Sequence, residues 1–400
     1  MTCLSVVIPA YNEVNCIAAS IEGVLATRAS LAAAGIDELE VIVVDDGSRD
    51  GTPEIVARYP DVTLVSHPTN YGYGAALKTG FGHARGELCG FLDADGTYPP
   101  EAFANLCRAV RDGADVAVGS RRSGATSQMP FVRRVGNAVW SNLITLLTSE
   151  RVVDPASGMR VFRREVLERL YPLPDGLNFT PVMSTRSVHE GVRVVELPIA
   201  YSERVGRSKL RVVRDGVRFL QTVLWTALNY NPVRILGAMG LALGALSVVL
   251  AAILVGLRIT GVTELSAWGV AAAFAAVVCA LGGANLFALG ATFNYLVSLF
   301  HRRPVRQGLF RKPVFRTPLD RHFWWLGLVS AALGLGLGIA ALVLGLNGWA
   351  IERLWLYLLA GTMLLLLGFQ LVVYWVIMRV LEELSQRETR AQCDAAGRVP

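Results

Sequence analysis

Charge is scarce in this sequence. Asp, Glu, Lys and Arg make up 18% of its 400 residues against 53% hydrophobic residues, and the mean hydropathy is +0.43. That balance is too apolar for an ordinary soluble protein, so membrane-crossing segments are expected. Cysteine is sparse as well. Cys3, Cys16, Cys89, Cys107, Cys279 and Cys393 form no CxxC pair and no ladder of spacings. That argues against a zinc site or a disulfide framework and fits a reducing compartment. Histidine is rarer still, with five in the chain, and His67, His83 and His189 sit in no acid–base constellation. No basic segment precedes the strand-like Ser5-Val-Val-Ile-Pro9. No cleavable leader is therefore expected, and the first half should stay on the side where it is made. The net charge of +6 is modest, and its placement matters more than its size; no nucleic-acid partner is expected.

What is present divides near Asn231-Pro232. Before it, short β-branched runs at 5–8, 40–44, 62–65, 88–92 and 116–118 alternate with helical patterns at 13–33, 53–58, 73–84 and 101–110. The runs are almost unbroken in apolar character, as parallel strands buried on both faces should be. Thr52 followed by Pro53 reads as an N-cap and first helical turn. The alternation predicts a doubly wound, mostly parallel α/β sheet whose ligands bind beyond the carboxyl ends of the strands. Polar clusters fall at those ends: Asn12-Glu13, Asp45-Asp46 and Asp93-Ala-Asp95.

After Pro232 four long apolar segments follow, at 233–257, 267–300, 323–347 and 354–378, each sufficient to cross about 30 Å of hydrocarbon as a helix. Small residues (Gly237, Gly240, Gly244; Gly334, Gly336, Gly338) recur at spacings that allow close helix packing. Arg302, Arg303, Arg306, Arg311, Lys312, Arg316 and Arg321 crowd the loop at 301–322, whereas the loops on either side carry one cation each, Arg258 and Arg353. The excess of cations on cytoplasmic loops then places that loop, the catalytic half and both termini in the cytoplasm. The expected division is a catalytic domain at 1–207, an amphipathic interfacial helix at 208–231, a four-helix membrane domain at 232–380 and a tail at 381–400. In the interfacial segment Leu210, Val213, Val217, Leu220 and Leu224 form an apolar stripe beside Arg211, Arg214 and Arg218. Such a helix suits an anionic headgroup layer or, equally, packing on the catalytic domain.

The chemistry centres on Phe91-Leu-Asp93-Ala-Asp95-Gly96. Two carboxylates one residue apart, just past a buried strand, can face one cavity and share a hard cation with substrate phosphates. Asp45-Asp46-Gly-Ser-Arg-Asp50-Gly-Thr52 ends a strand in acids suited to ribose hydroxyls or a base edge, and also caps a helix. Asn70-Tyr-Gly-Tyr-Gly-Ala is glycine-rich but lacks the Lys-Ser/Thr of a phosphate loop.

Pro9-Ala-Tyr-Asn-Glu13, the Asp45–Thr52 segment and Asp93-Ala-Asp95 together resemble the signature of glycosyltransferase family 2, the inverting enzymes of GT-A fold. Gly119-Ser-Arg121, Asp154-Pro-Ala-Ser-Gly-Met-Arg160 and Arg204-Val-Gly-Arg-Ser-Lys-Leu210 further resemble the dolichol-phosphate mannose synthases and bacterial polyprenyl-phosphate glycosyltransferases. The resemblance implies a Rossmann-like GT-A domain followed by an all-α membrane domain. It implies a nucleotide-diphosphate sugar donor, GDP-mannose or UDP-glucose, and a polyprenyl or dolichyl phosphate acceptor, with Mg²⁺ or Mn²⁺ as cofactor. Pro9, Tyr11, Glu13, Val44 and Asp46 would line the nucleotide pocket, and Asp93, Ala94, Asp95, Arg204 and Lys209 would also meet the donor. Asp93 and Asp95 would hold the metal together with Thr97, which stands where mannose synthases usually carry Gln. Arg121, Arg133 and Arg134 would bind the acceptor phosphate, and Asp154 would be a base or an orienting group. A lipid phosphate, with a second pKa of about 6, is already anionic and requires no strong base.

Three other readings compete. A processive polysaccharide synthase would need Gln-x-x-Arg-Trp, but Gln221-Thr-Val-Leu-Trp225 lacks the Arg. Another lipid such as diacylglycerol is an alternative acceptor. A lipid translocator with a regulatory catalytic half is the non-enzyme reading, but its spans are poor in ionisable groups, Asn285 and Asn294 being the most polar. The oligomeric state stays open, a homo-oligomer included.

Overall fold

A computed structural model describes residues 2–122, 131–148, 150–202, 212–262, 264–301, 319–350 and 353–395. The chain divides into two compact units, Met1–Ala227 and Leu228–Pro400.

The first unit is built on seven strands: β1 Cys3–Ala10, β2 Glu38–Asp45, β3 Val62–Ser66, β4 Leu88–Phe91, β5 Val116–Ser120, β6 Arg160–Arg163 and β7 Val194–Pro198. Their order in the sheet is β3-β2-β1-β4-β6-β5-β7. All neighbouring pairs are parallel except the two that involve β6, which runs against both β4 and β5. The sheet is thus mostly parallel and Rossmann-like, as expected. Alternate residues of the central strands enter two different cores. Leu4, Val6, Ile8, Val41 and Val43 meet the helices Ile17–Ala26 and Ala102–Arg111. Val7, Ile42 and Val44 meet Tyr73–His83 and Phe179–His189 on the opposite face. Covering both faces is what makes the strands read as continuous apolar runs. After β1 the chain builds β2 and β3 on one side and then returns to place β4 on the other. The β1–β4 junction is therefore the switch point at which such sheets bind ligands.

Several local expectations change. The helical pattern at 13–33 divides into Ile17–Ala26 and Arg28–Ala33 at Thr27, whose hydroxyl donates to the Val24 carbonyl at 2.6 Å. Thr52 is not an N-cap. Gly51 takes that position at φ 81°, and the Thr52 hydroxyl instead donates to Asp50 Oδ1 at 2.5 Å and accepts the Glu13 N–H at 3.0 Å. Strands β6 and β7, four and five residues long, were not anticipated. The helix Val212–Tyr230 carries two apolar stripes: Phe219, Val223 and Ala227 are buried, while Val217, Leu220 and Trp225 are exposed beside Arg218. Residues 208–211 of the expected interfacial helix lie outside the described residues.

In the second unit, Pro232–Ile259, Ala267–Val297, Phe323–Leu346 and Trp355–Leu384 are long and apolar enough to cross a membrane. The last belongs to a helix that continues to Ala395, through much of the expected tail. Two of the singled-out glycines mark close helix crossings. A Cβ on Gly240 would meet the Gly283 carbonyl oxygen at 2.6 Å, and one on Gly334 would meet the Gly361 carbonyl oxygen at 2.6 Å. A Cβ on Gly244, Gly336 or Gly338 would itself meet nothing, yet Gly244 and Gly338 still lie at these crossings: a Cβ on Gly283 would come within 2.9 Å of the Gly244 nitrogen, and one on Gly361 within 3.3 Å of the Gly338 nitrogen.

Candidate active site

The carboxyl ends of β1, β2 and β4 form one rim. Pro9 pairs with Val44 and Ala10 with Asp45 across β1 and β2, and the Asp46 N–H donates to the Ala10 carbonyl at 2.8 Å. Pro9 and Val44 are buried in the sheet, whereas Tyr11 and Glu13 are partly exposed at its edge. Asn12, the one non-glycine residue with positive φ (51°) among the described residues, turns the chain there. Its side chain accepts the Arg49 N–H at 2.8 Å, and its own N–H donates to Ser48 Oγ at 2.9 Å. Asp50 accepts the Val14 N–H at 3.1 Å. Burial opposes ionisation of Asp50, but the Thr52 hydroxyl and the backbone N–H groups outweigh it and hold its carboxyl below the usual range. The β2 loop thus clamps the β1 loop.

The two adjacent aspartates divide their work. Asp45 closes its own turn by accepting the Ser48 N–H at 3.2 Å. Asp46, only 3% exposed, reaches a different loop. Its Oδ1 accepts the Tyr71 N–H at 2.9 Å and lies 2.7 Å from His67 Nδ1, and its Oδ2 accepts the Gly72 N–H at 2.8 Å. His67 Nε2 is 2.9 Å from the Thr79 hydroxyl. His67, read from sequence as outside any acid–base set, is therefore paired with a carboxylate.

The same loop continues to the second acidic cluster. Tyr73, which opens the helix Tyr73–His83, donates its hydroxyl to Asp93 Oδ1 at 2.7 Å. Burial and the Asp93 charge push the Tyr73 phenol well above its ordinary pKa. On another side the Asp93 carboxylate lies against Gly158, where a Cβ would come within 2.3 Å of Oδ2 and 2.6 Å of Oδ1. The Gly158 N–H donates to the Tyr98 hydroxyl at 2.7 Å. Asp95, 7% exposed, accepts the Thr97 hydroxyl at 2.6 Å and the Thr97 N–H at 3.2 Å. Thr97 is itself 1% exposed. Ala94 is buried and its carbonyl accepts the Ser20 hydroxyl at 2.9 Å.

The Asp93 carboxylate, which lies against Gly158, and the Asp95 carboxylate two residues on are hard oxygen ligands of the kind that suit a divalent cation such as Mg²⁺ or Mn²⁺, which takes one or two protein carboxylates and completes its shell with phosphates and water. Among the described residues no group of three or more His, Cys, Asp or Glu could hold a metal ion.

A third cluster is basic. Arg121 makes a two-pronged pair with Asp154, Nε to Oδ2 at 2.8 Å and an Nη to Oδ1 at 2.6 Å. The Arg121 N–H and the Asn137 amide also donate to Asp154, each at 2.9 Å. Burial opposes ionisation of Asp154, but Arg121 outweighs it and holds the carboxyl below the usual range. Arg121 also lies 5.5 Å from the centre of the Tyr201 ring. Arg160 is 1% exposed, and burial lowers it to about 10. Its guanidinium donates to the Pro155 carbonyl at 2.8 Å, the Thr180 carbonyl at 3.2 Å and Ser184 Oγ at 2.9 Å, tying the 155–158 loop to the helix Phe179–His189. Arg134 is exposed, the Arg133 side chain is not described, and Arg204 and Lys209 lie outside the described residues.

Sequence reasoning gave no role to Tyr73, His67, Gly158 or Arg160, although the last two lie in the Asp154–Arg160 motif. The clue available was Asn70-Tyr-Gly-Tyr-Gly-Ala: it matches no phosphate-loop pattern, yet its glycines permit a tight approach just before a helix.

A mostly parallel sheet with an acidic rim at its switch point, followed by apolar helices, is the architecture of a GT-A glycosyltransferase with membrane helices. Residues 5–171 match the family described as Glycosyl transferase family 2, and residues 232–392 match one described as Domain of unknown function (DUF8752). The chain belongs to glycosyltransferase family 2. It is 30% identical over 317 residues to the undecaprenyl-phosphate 4-deoxy-4-formamido-L-arabinose transferase of Photorhabdus laumondii, covering 78% of this chain and 94% of that protein. It is 34% identical over 234 residues to the low-salt glycan biosynthesis hexosyltransferase Agl6 of Haloferax volcanii, covering 57% of this chain but only 54% of that protein. Glucosyl-3-phosphoglycerate synthase from Mycobacterium tuberculosis, solved with Mn²⁺, UDP and phosphoglyceric acid, aligns at 21% identity over 56% of this chain and 78% of that one, with a TM-score of 0.46.

Proposed function

We propose that the chain is an inverting, metal-dependent hexosyltransferase that moves a sugar from GDP-mannose or UDP-glucose to a polyprenyl phosphate at the cytoplasmic face of a membrane. The observation that carries this reading is the acidic rim at the switch point, where the loop holding Asp46 also reaches Asp93. The acceptor class rests on the undecaprenyl-phosphate transferase, of which the chain covers 94%, together with four helices long and apolar enough to cross a membrane.

In this reading Pro9, Tyr11, Glu13, Val44 and Asp46 border the nucleoside, and Asp93 and Asp95 hold Mg²⁺ or Mn²⁺ against the diphosphate. When bound, the metal neutralises charge that develops on the departing diphosphate. Thr97 supports Asp95 through its hydroxyl. Arg121 is aimed by Asp154 at the acceptor phosphate, with Arg133 or Arg134 beside it, so Asp154 is a positioning residue and not a base. Arg204 and Lys209 belong to the segment that meets the donor. An oxygen of the lipid phosphate attacks the anomeric carbon from the side opposite the nucleoside diphosphate. The bond to the diphosphate breaks, and configuration inverts.

The test incubates purified protein with undecaprenyl phosphate and a panel of labelled nucleotide sugars, with Mg²⁺, Mn²⁺ or EDTA. Labelled lipid is expected from one donor, only with metal, and not from Asp95→Asn. No glycolipid from any donor would overturn the acceptor class, and transfer by Asp95→Asn at the parental rate would overturn the metal site.

A further inference from the structure

We infer that Tyr73 is a positioning residue of the metal site, its hydroxyl fixing the Asp93 carboxylate in the orientation that receives the cation; the inference rests on the metal-site reading above. The loop that delivers Tyr73 is held at several points. The N–H groups of Tyr71 and Gly72 donate to Asp46, and those of Gly74 and Ala75 donate to the Asp175 carbonyl at 2.6 and 3.1 Å. Gly72 and Gly74 permit this closeness: a Cβ on either would meet the Asp175 or Pro174 carbonyl oxygen at 2.5 or 2.1 Å. Lys78, one turn into the helix, pairs with Asp175 at 2.5 Å. The Tyr73 ring packs edge-on against Phe179 with centroids 6.5 Å apart. These bonds and the packed ring place the hydroxyl 2.7 Å from Asp93 Oδ1.

Asp93 is then bounded on two sides, by the phenol that donates to it and by Gly158, which leaves no room for a Cβ. Thr97, the neighbour two residues beyond the acidic pair, serves Asp95. The group that orients Asp93 therefore comes from a different element, twenty residues earlier in the chain. A carboxylate held in one plane keeps a fixed direction toward the cation, and loss of such an outer partner weakens metal binding by about 10- to 100-fold.

The test uses the full chain in detergent, titrated with Mn²⁺ in the presence of UDP and, separately, of GDP, with free Mn²⁺ read by electron paramagnetic resonance. Tyr73→Phe is expected to weaken Mn²⁺ binding about tenfold or more, and to raise by a similar factor the Mn²⁺ needed for half-maximal transfer, with kcat at saturating Mn²⁺ retained. Tyr59→Phe, which removes a hydroxyl bonded to exposed Glu22, is expected to titrate like the parent. Replacing Tyr73 by p-aminophenylalanine keeps a ring and a donor and is expected to restore binding. Melting curves without metal check that each variant folds. Parental Mn²⁺ affinity in Tyr73→Phe, with binding lost in Asp95→Asn, would overturn the inference alone. Failure of the p-aminophenylalanine variant to recover binding while folding normally would overturn it too. Parental binding in Asp95→Asn would instead overturn the metal-site reading beneath it.

Discussion

Gly158→Ala is the smallest change that should disable the site while sparing the fold. The new Cβ would stand 2.3 Å from Asp93 Oδ2 and 2.6 Å from both Asp93 Oδ1 and Cγ, whereas real Cβ contacts essentially never fall under 3.0 Å. The gap of 3.0 − 2.3 Å must be relieved by movement of at least 0.7 Å. The backbone is poorly placed to supply it. The Gly158 N–H is held by Tyr98 at 2.7 Å, Ser157 Oγ donates to the Gly119 carbonyl at 2.6 Å, and the Arg160 guanidinium grips the Pro155 and Ser157 carbonyls. Asp93 must therefore yield, which also strains its bond with Tyr73. A displacement of about 1 Å in a reacting constellation costs on the order of 100-fold in rate. The assay is labelled-lipid formation at saturating donor and metal, beside a melting curve in detergent. Transfer down by one to two orders of magnitude with melting nearly unchanged is expected. Activity within threefold of the parent would refute the argument that this glycine exists to seat Asp93.

Other outcomes follow from the same geometry. His67→Ala removes the side chain against Asp46 and loosens the 70–72 loop; it should raise the KM for the nucleotide sugar about tenfold while kcat falls less, measured by donor titration. Asp154→Asn leaves Arg121 without its ionised partner in a pocket where their side chains are 0% and 12% exposed. Stability should drop by about 3–5 kcal/mol, seen as a lower melting temperature, and acceptor KM should rise. Because Asp154 is held below the ordinary carboxylate range, its contribution is present above the unfolded-chain pKa of about 3.9 and is lost as pH falls through the native value. The acid limb of the parent's melting profile should therefore be shallower in Asp154→Asn. In the second unit Gly334→Leu must displace the Gly361 and Leu365 backbone, while Gly336→Leu faces open space. Only the first should lower the melting temperature.

Much of the fold was legible because burial leaves a local signature. Strands covered on both faces read as unbroken apolar runs, and the acidic clusters fell where those runs stop. Strands β6 and β7 were missed because four or five residues with charged members carry too weak a pattern, and their place depends on neighbours far along the chain. The two stripes of Val212–Tyr230 show the same limit: periodicity reveals an apolar face but not which surface covers it.

By itself the sequence determined that an α/β half precedes four apolar helices, that carboxylates cluster at strand ends, and that Asp93-Ala-Asp95 is the place to look for a cation. Those properties follow from residue type and spacing within a dozen residues. Only the tertiary structure decided what each carboxylate does. Asp46 meets the Tyr71 and Gly72 N–H groups, 25 and 26 residues away, Asp93 meets the Tyr73 hydroxyl, 20 away, and Asp154 meets Arg121, 33 away. Such partners are set by strand order and by the close approaches that Gly72, Gly74 and Gly158 allow. A hydrogen bond is sensitive to tenths of an ångström, whereas sequence spacing constrains only what lies within a turn or two.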